Sequence, residues 1–147
     1  MEWAVQFIYP YDIHQSDDGA WQVRFPDVPE ALTEGESAAE AHALASDVLL
    51  AALGGLARLK RELPAPSVPR PDQHVVIVPM LQAAKLALYQ AMREAKLNNV
   101  TLAARLGKAE NQVRRMLDLD HESKIGEIEN ALWLLGRRVA TEVRLAA

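Results

Sequence analysis

The hydrophobic period of this chain changes once, near Pro79, and that change limits what the chain can fold into. Before it, short apolar alternations surround one amphipathic stretch, which predicts strands packed on a helix. After it, the apolar spacing is helical until the last ten residues. The expected fold class is therefore α+β, with a β-β-β-α-β domain over residues 1–79 and an all-α domain over residues 80–147. A chain of 147 residues, half of them apolar, can bury one medium core or two small ones, so self-association is an expected aid to stability. The two halves differ in period, charge and composition, and no internal repeat joins them.

Within the first part, Trp3, Val5, Phe7 and Tyr9 fall on one side of a strand that Pro10 is expected to end. Asp17-Asp18-Gly19 is hairpin-turn chemistry, and Trp21, Val23 and Phe25 alternate with Gln22 and Arg24 in a half-buried second strand. A short third strand is expected around Ala31 to Thr33, beyond the break made by Pro26 and Pro29. Ser37 and Glu40 have capping-box spacing, in which the serine oxygen takes a backbone N–H and the glutamate reaches back to the cap. The helix that follows offers Ala41, Leu44, Val48, Ala52, Leu56, Leu59 and Leu63 as a buried stripe. Gly54-Gly55 marks either close packing on the sheet or a kink. Residues 64–71 form a proline-rich connector, and His74 to Val78 has the continuous apolar character of a central strand.

The net charge of -4 conceals opposite signs in the two parts. Residues 1–81 hold five basic against twelve acidic side chains, giving -7, and residues 82–147 hold eleven against eight, giving +3. An acidic part suits a basic partner and a basic part suits a polyanion. With no cysteine, disulfides, thiolate metal sites and thiol nucleophiles are excluded together. The absence of an uninterrupted apolar run of membrane-spanning length, and an acidic, aromatic Met1-Glu2-Trp3, predict a cytoplasmic protein with no membrane partner.

The most specific stretch is residues 99–116, whose spacing predicts a helix-turn-helix. Ala103 supplies the small residue where the helices cross, and Gly107 tolerates positive φ at the turn. Leu102, Leu106, Val113 and Met116 complete the shared core. Leu81, Leu86, Leu88, Tyr89 and Met92 give a preceding helix, and Ile125, Ile128, Leu132 and Leu135 give a last one ending at Gly136. With the apolar side turned inward, Glu110, Asn111, Gln112, Arg114 and Arg115 are the expected base contacts: Arg can bond guanine O6 and N7, and Asn or Gln can bond adenine N6 and N7. Lys85, Arg93, Lys96, Arg105 and Lys108 are the expected phosphate contacts. Val139, Thr141, Val143 and Leu145 alternate with Ala, Glu and Arg, so the tail is expected to be a strand that pairs with its copy in a dimer.

Residues 82–136 resemble the lambda-repressor-like (Xre-type) helix-turn-helix family, with Lys108 where that family usually has an apolar residue and Ala109 where it usually has a Ser or Thr cap. Residues 17–29, Leu32 to Ser37, Glu40-Ala41 and Pro64 to Ser67 resemble the HicB antitoxins. That resemblance implies a degenerate ribonuclease-H-like first domain that covers a small basic HicA toxin, an mRNA-cleaving enzyme, and a second domain that binds operator DNA as a homodimer.

No catalytic residue, cofactor or metal site is expected. His14, His42, His74 and His121 lie far apart in sequence without ligand spacing. The enzyme-class rival is a residual magnesium-dependent nuclease using Asp12, Asp17, Asp18 and Asp27, although adjacent aspartates before glycine are ordinary turn chemistry. The other rival is a stand-alone repressor whose acidic domain senses a small molecule.

Overall fold

The computed structural model describes residues 6–146. Backbone contacts divide the chain into two compact units between Ala83 and Ala84, four residues beyond the expected boundary. The first unit contains strands β1 (Ile8–Gln15), β2 (Trp21–Phe25) and β3 (Val28–Gly35), helix α1 (Ala38–Arg58) and strand β4 (His74–Ile77). All neighbours in its sheet are antiparallel, in the order β3-β2-β1-β4. The β-β-β-α-β order is as the sequence predicts, but three strand assignments change.

The first strand runs through Pro10 instead of ending there, and expected strand residues Trp3 and Val5 lie outside the described residues. The reason is a change of partner along β1, which pairs with β4 over residues 8–11 and with β2 over residues 12–15. Val78 N–H donates to Phe7 O, so alternation along the ladder turns the Pro10 nitrogen away from β4. On that other side β2 offers no partner at this position, and the donor that proline lacks is not missed. Strand β3 spans eight residues instead of three and takes in Pro29, which an edge strand tolerates. Strand β4 is the opposite edge and not a central strand; Ile77 is 57% exposed.

Helix α1 covers one sheet face with Ala41, Ala45, Leu49, Leu53 and Leu56, packed with Tyr9, Tyr11, Val23, Phe25 and Val76 in the core. The expected stripe is thus rotated by about one residue: Leu44, Val48 and Ala52 are half-buried, and Leu59 is 67% exposed. The helix is apolar nearly all round, so spacing alone does not fix its buried side. By length and composition it is the one helix among the described residues that could cross a membrane, but here it is the core helix of the unit. It runs unbroken through Gly54-Gly55, with Gly54 buried. At its start Ser37 Oγ accepts from Glu40 N–H, while the Glu40 carboxylate accepts from Glu36 N–H, one residue before the cap.

Gly35, where β3 enters α1, is held by a close approach. A Cβ there would lie 2.7 Å from the Ala41 nitrogen and 3.2 Å from its Cα. Because the obstructing atoms are backbone, Gly35→Ala is expected to destabilise the first unit by ~1–3 kcal/mol. Urea denaturation checks this, and an unchanged midpoint would contradict it.

The proline-rich connector has no regular secondary structure but is tied to the sheet. Tyr9 OH donates to Pro64 O at 2.7 Å, Ser67 donates through N–H and Oγ to Asp27, and Arg70 pairs with Asp12 at 3.2 Å. Burial, with the Asp27 charge assisting, pushes the Tyr9 hydroxyl up to about 12.

The helices that follow are α2 (Met80–Glu94), which enters the second unit at Ala84, then α3 (Asn99–Leu106), α4 (Glu110–Leu117) and α5 (Ile125–Leu134). The core of that unit contains Leu86, Leu88, Met92, Leu102, Val113, Met116, Ile128 and Leu132. Gly136 follows α5 at φ +78, as expected of a C-terminal glycine. In the single chain residues 137–146 form neither helix nor strand, and Val143 and Leu145 are 92% and 99% exposed.

Candidate nucleic-acid interface

Helices α3 and α4 meet at a turn that the sequence specifies closely. Asn98 caps α3 by accepting from Thr101 N–H at 2.8 Å. Gly107 ends it in the left-handed region at φ 66, ψ 32. Lys108 N–H donates to Ala103 O and Gly107 N–H to Ala104 O, the paired bonds of a Schellman end. Leu102, Ala103, Val113 and Met116 are buried as expected, while Leu106 is half-buried.

Ala109 cannot cap α4 through its side chain. Gln112 supplies the other half of a capping box, its Oε1 accepting from Ala109 N–H at 2.8 Å. That bond occupies the oxygen of an expected base contact and leaves its amide N–H groups to other partners. Glu110 and Arg114 are also engaged, in a two-pronged ion pair at 2.9 and 2.7 Å one helical turn apart. Asn111 and Arg115 are both exposed, with i,i+4 spacing, on the side of α4 opposite Val113 and Met116. Among the five expected base contacts, these two are the best placed to project from the helix.

The expected phosphate contacts divide. Arg93, Lys96 and Arg105 are exposed and Lys108 is half-buried. Lys96 ends α2 in the left-handed region at φ 55, a conformation unusual for a lysine. Lys85 is a correction, because its side chain is 0% exposed and cannot touch a phosphate. Its Nζ donates to Arg115 O at 3.0 Å, Asp118 O at 2.6 Å and His121 O at 2.6 Å. Lysine is rarely found fully buried, which is why composition points the other way. The signal that finds it is spacing: Leu81, Lys85, Leu88 and Met92 recur at four, three and four along the inward stripe of α2.

Elsewhere, the fold brings His42 and His74 together, which their sequence separation conceals. Their rings cross edge-on with centroids 4.6 Å apart, and Tyr11 OH hydrogen-bonds His42 Nδ1 at 2.7 Å. The four aspartates of the nuclease reading are engaged separately or lie in a turn. Asp12 accepts from Arg70 and Gln73, Asp27 from Ser67, and Asp18 from Ser16 and Ala20 within the hairpin tip that also contains Asp17. Among the described residues, no three His, Cys, Asp or Glu side chains converge as a metal site.

These features define a class: among the described residues, an α+β protein whose antiparallel sheet and core helix are followed by four helices, one of them presenting a polar face. Residues 8–87 match the model of the HicB_like antitoxin of bacterial toxin-antitoxin system. The chain is 38% identical over 131 residues to Antitoxin HicB 2 of Photorhabdus laumondii, an alignment covering 89% of this chain and 92% of that relative. It is 33% identical over 132 residues to Antitoxin HicB of Escherichia coli, covering 90% and 96%. With Antitoxin HicB of Pseudomonas fluorescens it shares 32% identity over 147 residues, covering 99% and 100%. The chain belongs to the HicB-like antitoxin family.

Proposed function

We propose that this chain is a cytoplasmic, non-enzymatic antitoxin that occludes a small basic HicA-like mRNA-cleaving toxin with its sheet unit and represses its own operon through α3 and α4. The observation that carries the DNA-binding half is the placement of Asn111 and Arg115 on the exposed side of α4, opposite buried Val113 and Met116. With the Gly107 turn, this gives the second helix of a helix-turn-helix the side chains that read a major groove. The charge split supports the division of labour: -7 over residues 1–81 suits a basic toxin, and +3 over residues 82–147 suits DNA.

The toxin half is tested by mixing the chain with the product of the open reading frame adjacent to its gene. A stoichiometric complex that stops RNA cleavage is expected; a neighbouring protein that neither binds nor cleaves RNA contradicts the reading. The homodimer places two α4 helices in successive major grooves, about 34–36 Å apart. The alternating Val139, Thr141, Val143 and Leu145, left without a strand partner in the single chain, suit pairing with a second copy. Deleting residues 139–147 is expected to convert dimer to monomer by sedimentation velocity and to weaken operator binding. A deletion variant that remains dimeric would remove this role from the tail.

A further inference from the structure

Lys85 is the one charged side chain buried among the described residues. It lies on α2, and its ammonium has three donors for three acceptors: the carbonyls of Arg115, Asp118 and His121. Two of these carbonyls belong to the last turn and C-cap of α4, at the negative end of the helix dipole, where their backbone bonds are long, Asp118 N–H to Arg115 O at 3.3 Å and His121 N–H to Asp118 O at 3.2 Å. The third lies in the turn after α4. One cation thus fastens the end of α4 and the following turn to α2. Arg115 connects this fastening to DNA: its carbonyl holds the buried ammonium while its side chain stands on the exposed face.

From this geometry we infer that Lys85 is a positioning residue for sequence recognition, fixing the pose of α4 without touching nucleic acid. Burial pulls its ammonium below the usual lysine range, while the nearby charges of Asp118 and Asp120 push the other way. The inference rests on the DNA-binding reading above. It differs from a phosphate-contact role in what it predicts: a phosphate contact contributes affinity on any sequence, whereas a pin under the reading helix contributes discrimination.

The test uses the full chain and two duplexes, one from the region immediately upstream of its own gene and one scrambled to the same composition. Lys85→Met is expected to reduce the preference for the upstream duplex by roughly tenfold or more, about the discrimination of one bidentate base contact. Binding to the scrambled duplex and the slope of affinity against salt should stay unchanged. A slope reduced by about one, with preference intact, would make Lys85 a phosphate contact and overturn the inference. Wild-type preference in Lys85→Met would overturn it as well.

Because the chain has no cysteine, Lys85→Cys can be alkylated selectively with bromoethylamine while unfolded and then refolded. This restores an ammonium of nearly the same reach, and the preference should return. If preference stays lost although the refolded protein melts as wild type, the ammonium is not the cause. Should wild-type protein show no preference at all, the DNA-binding reading fails and hydrogen exchange then decides the pin. Faster exchange of the Asp118 amide in Lys85→Met, reversed by alkylated Lys85→Cys, sustains the fastening; unchanged exchange refutes it.

Discussion

Replacing Asn111 and Arg115 together with alanine is expected to abolish specific operator binding while toxin neutralisation continues undiminished. Each good bidentate base pair is worth ~1–3 kcal/mol of discrimination. Losing two lowers specific affinity by roughly 30-fold to 20,000-fold. Both side chains are exposed, whereas the core beneath them is formed by Val113 and Met116, so the helix should persist without them. Affinity on upstream and scrambled duplexes, measured beside inhibition of toxin cleavage, separates the two activities. A double variant with wild-type operator affinity would show that another surface reads the sequence.

Leu49→Ala should have the largest effect on stability and the opposite functional signature. Leu49 is fully buried on the inner face of α1. Removing its side chain costs ~2–5 kcal/mol through lost burial and the cavity left behind. That is a large fraction of the ~5–15 kcal/mol that holds a typical domain together. A fall of at least about 8 °C in the first unit's melting temperature is expected, with toxin neutralisation impaired. The helical unit has its own core, so operator binding at low temperature should survive. Parallel loss of both activities in a still-folded protein would contradict their assignment to separate units.

Local chemistry made much of this structure readable in advance. The Ser37 cap, the Gly107 turn and the inward spacing of Leu102, Val113 and Met116 depend on neighbours a few residues away, and each appears where the sequence places it. What the sequence concealed depends on tertiary placement. Pro10 reads as a stop, yet it lies inside a strand because β1 changes partner there. The buried face of α1 is ambiguous because Leu44, Val48 and Ala52 are as apolar as Ala45, Leu49 and Leu53, and only the sheet decides between them. His42 and His74 meet through the pairing of β4 beside β1 and the packing of α1.

The proposed interface was legible as a region more than as a set of contacts. Its helix, turn and exposed face follow from residues 99–116. The roles within it do not: Gln112 also caps the helix, Glu110 and Arg114 hold each other, and Lys85 works from inside. Side chains of similar charge and length acquire different tasks according to which polar groups come within reach, and that is set only when the helices have packed.

The most direct test of the central claim is a hydroxyl-radical footprint of the full chain on the DNA upstream of its own gene. Two protected patches about one helical repeat apart, 34–36 Å centre to centre, are expected with wild-type protein, and none with the Asn111→Ala, Arg115→Ala variant. An unprotected region with wild-type protein, or the same two patches with the variant, would show that this face of α4 does not read the operator.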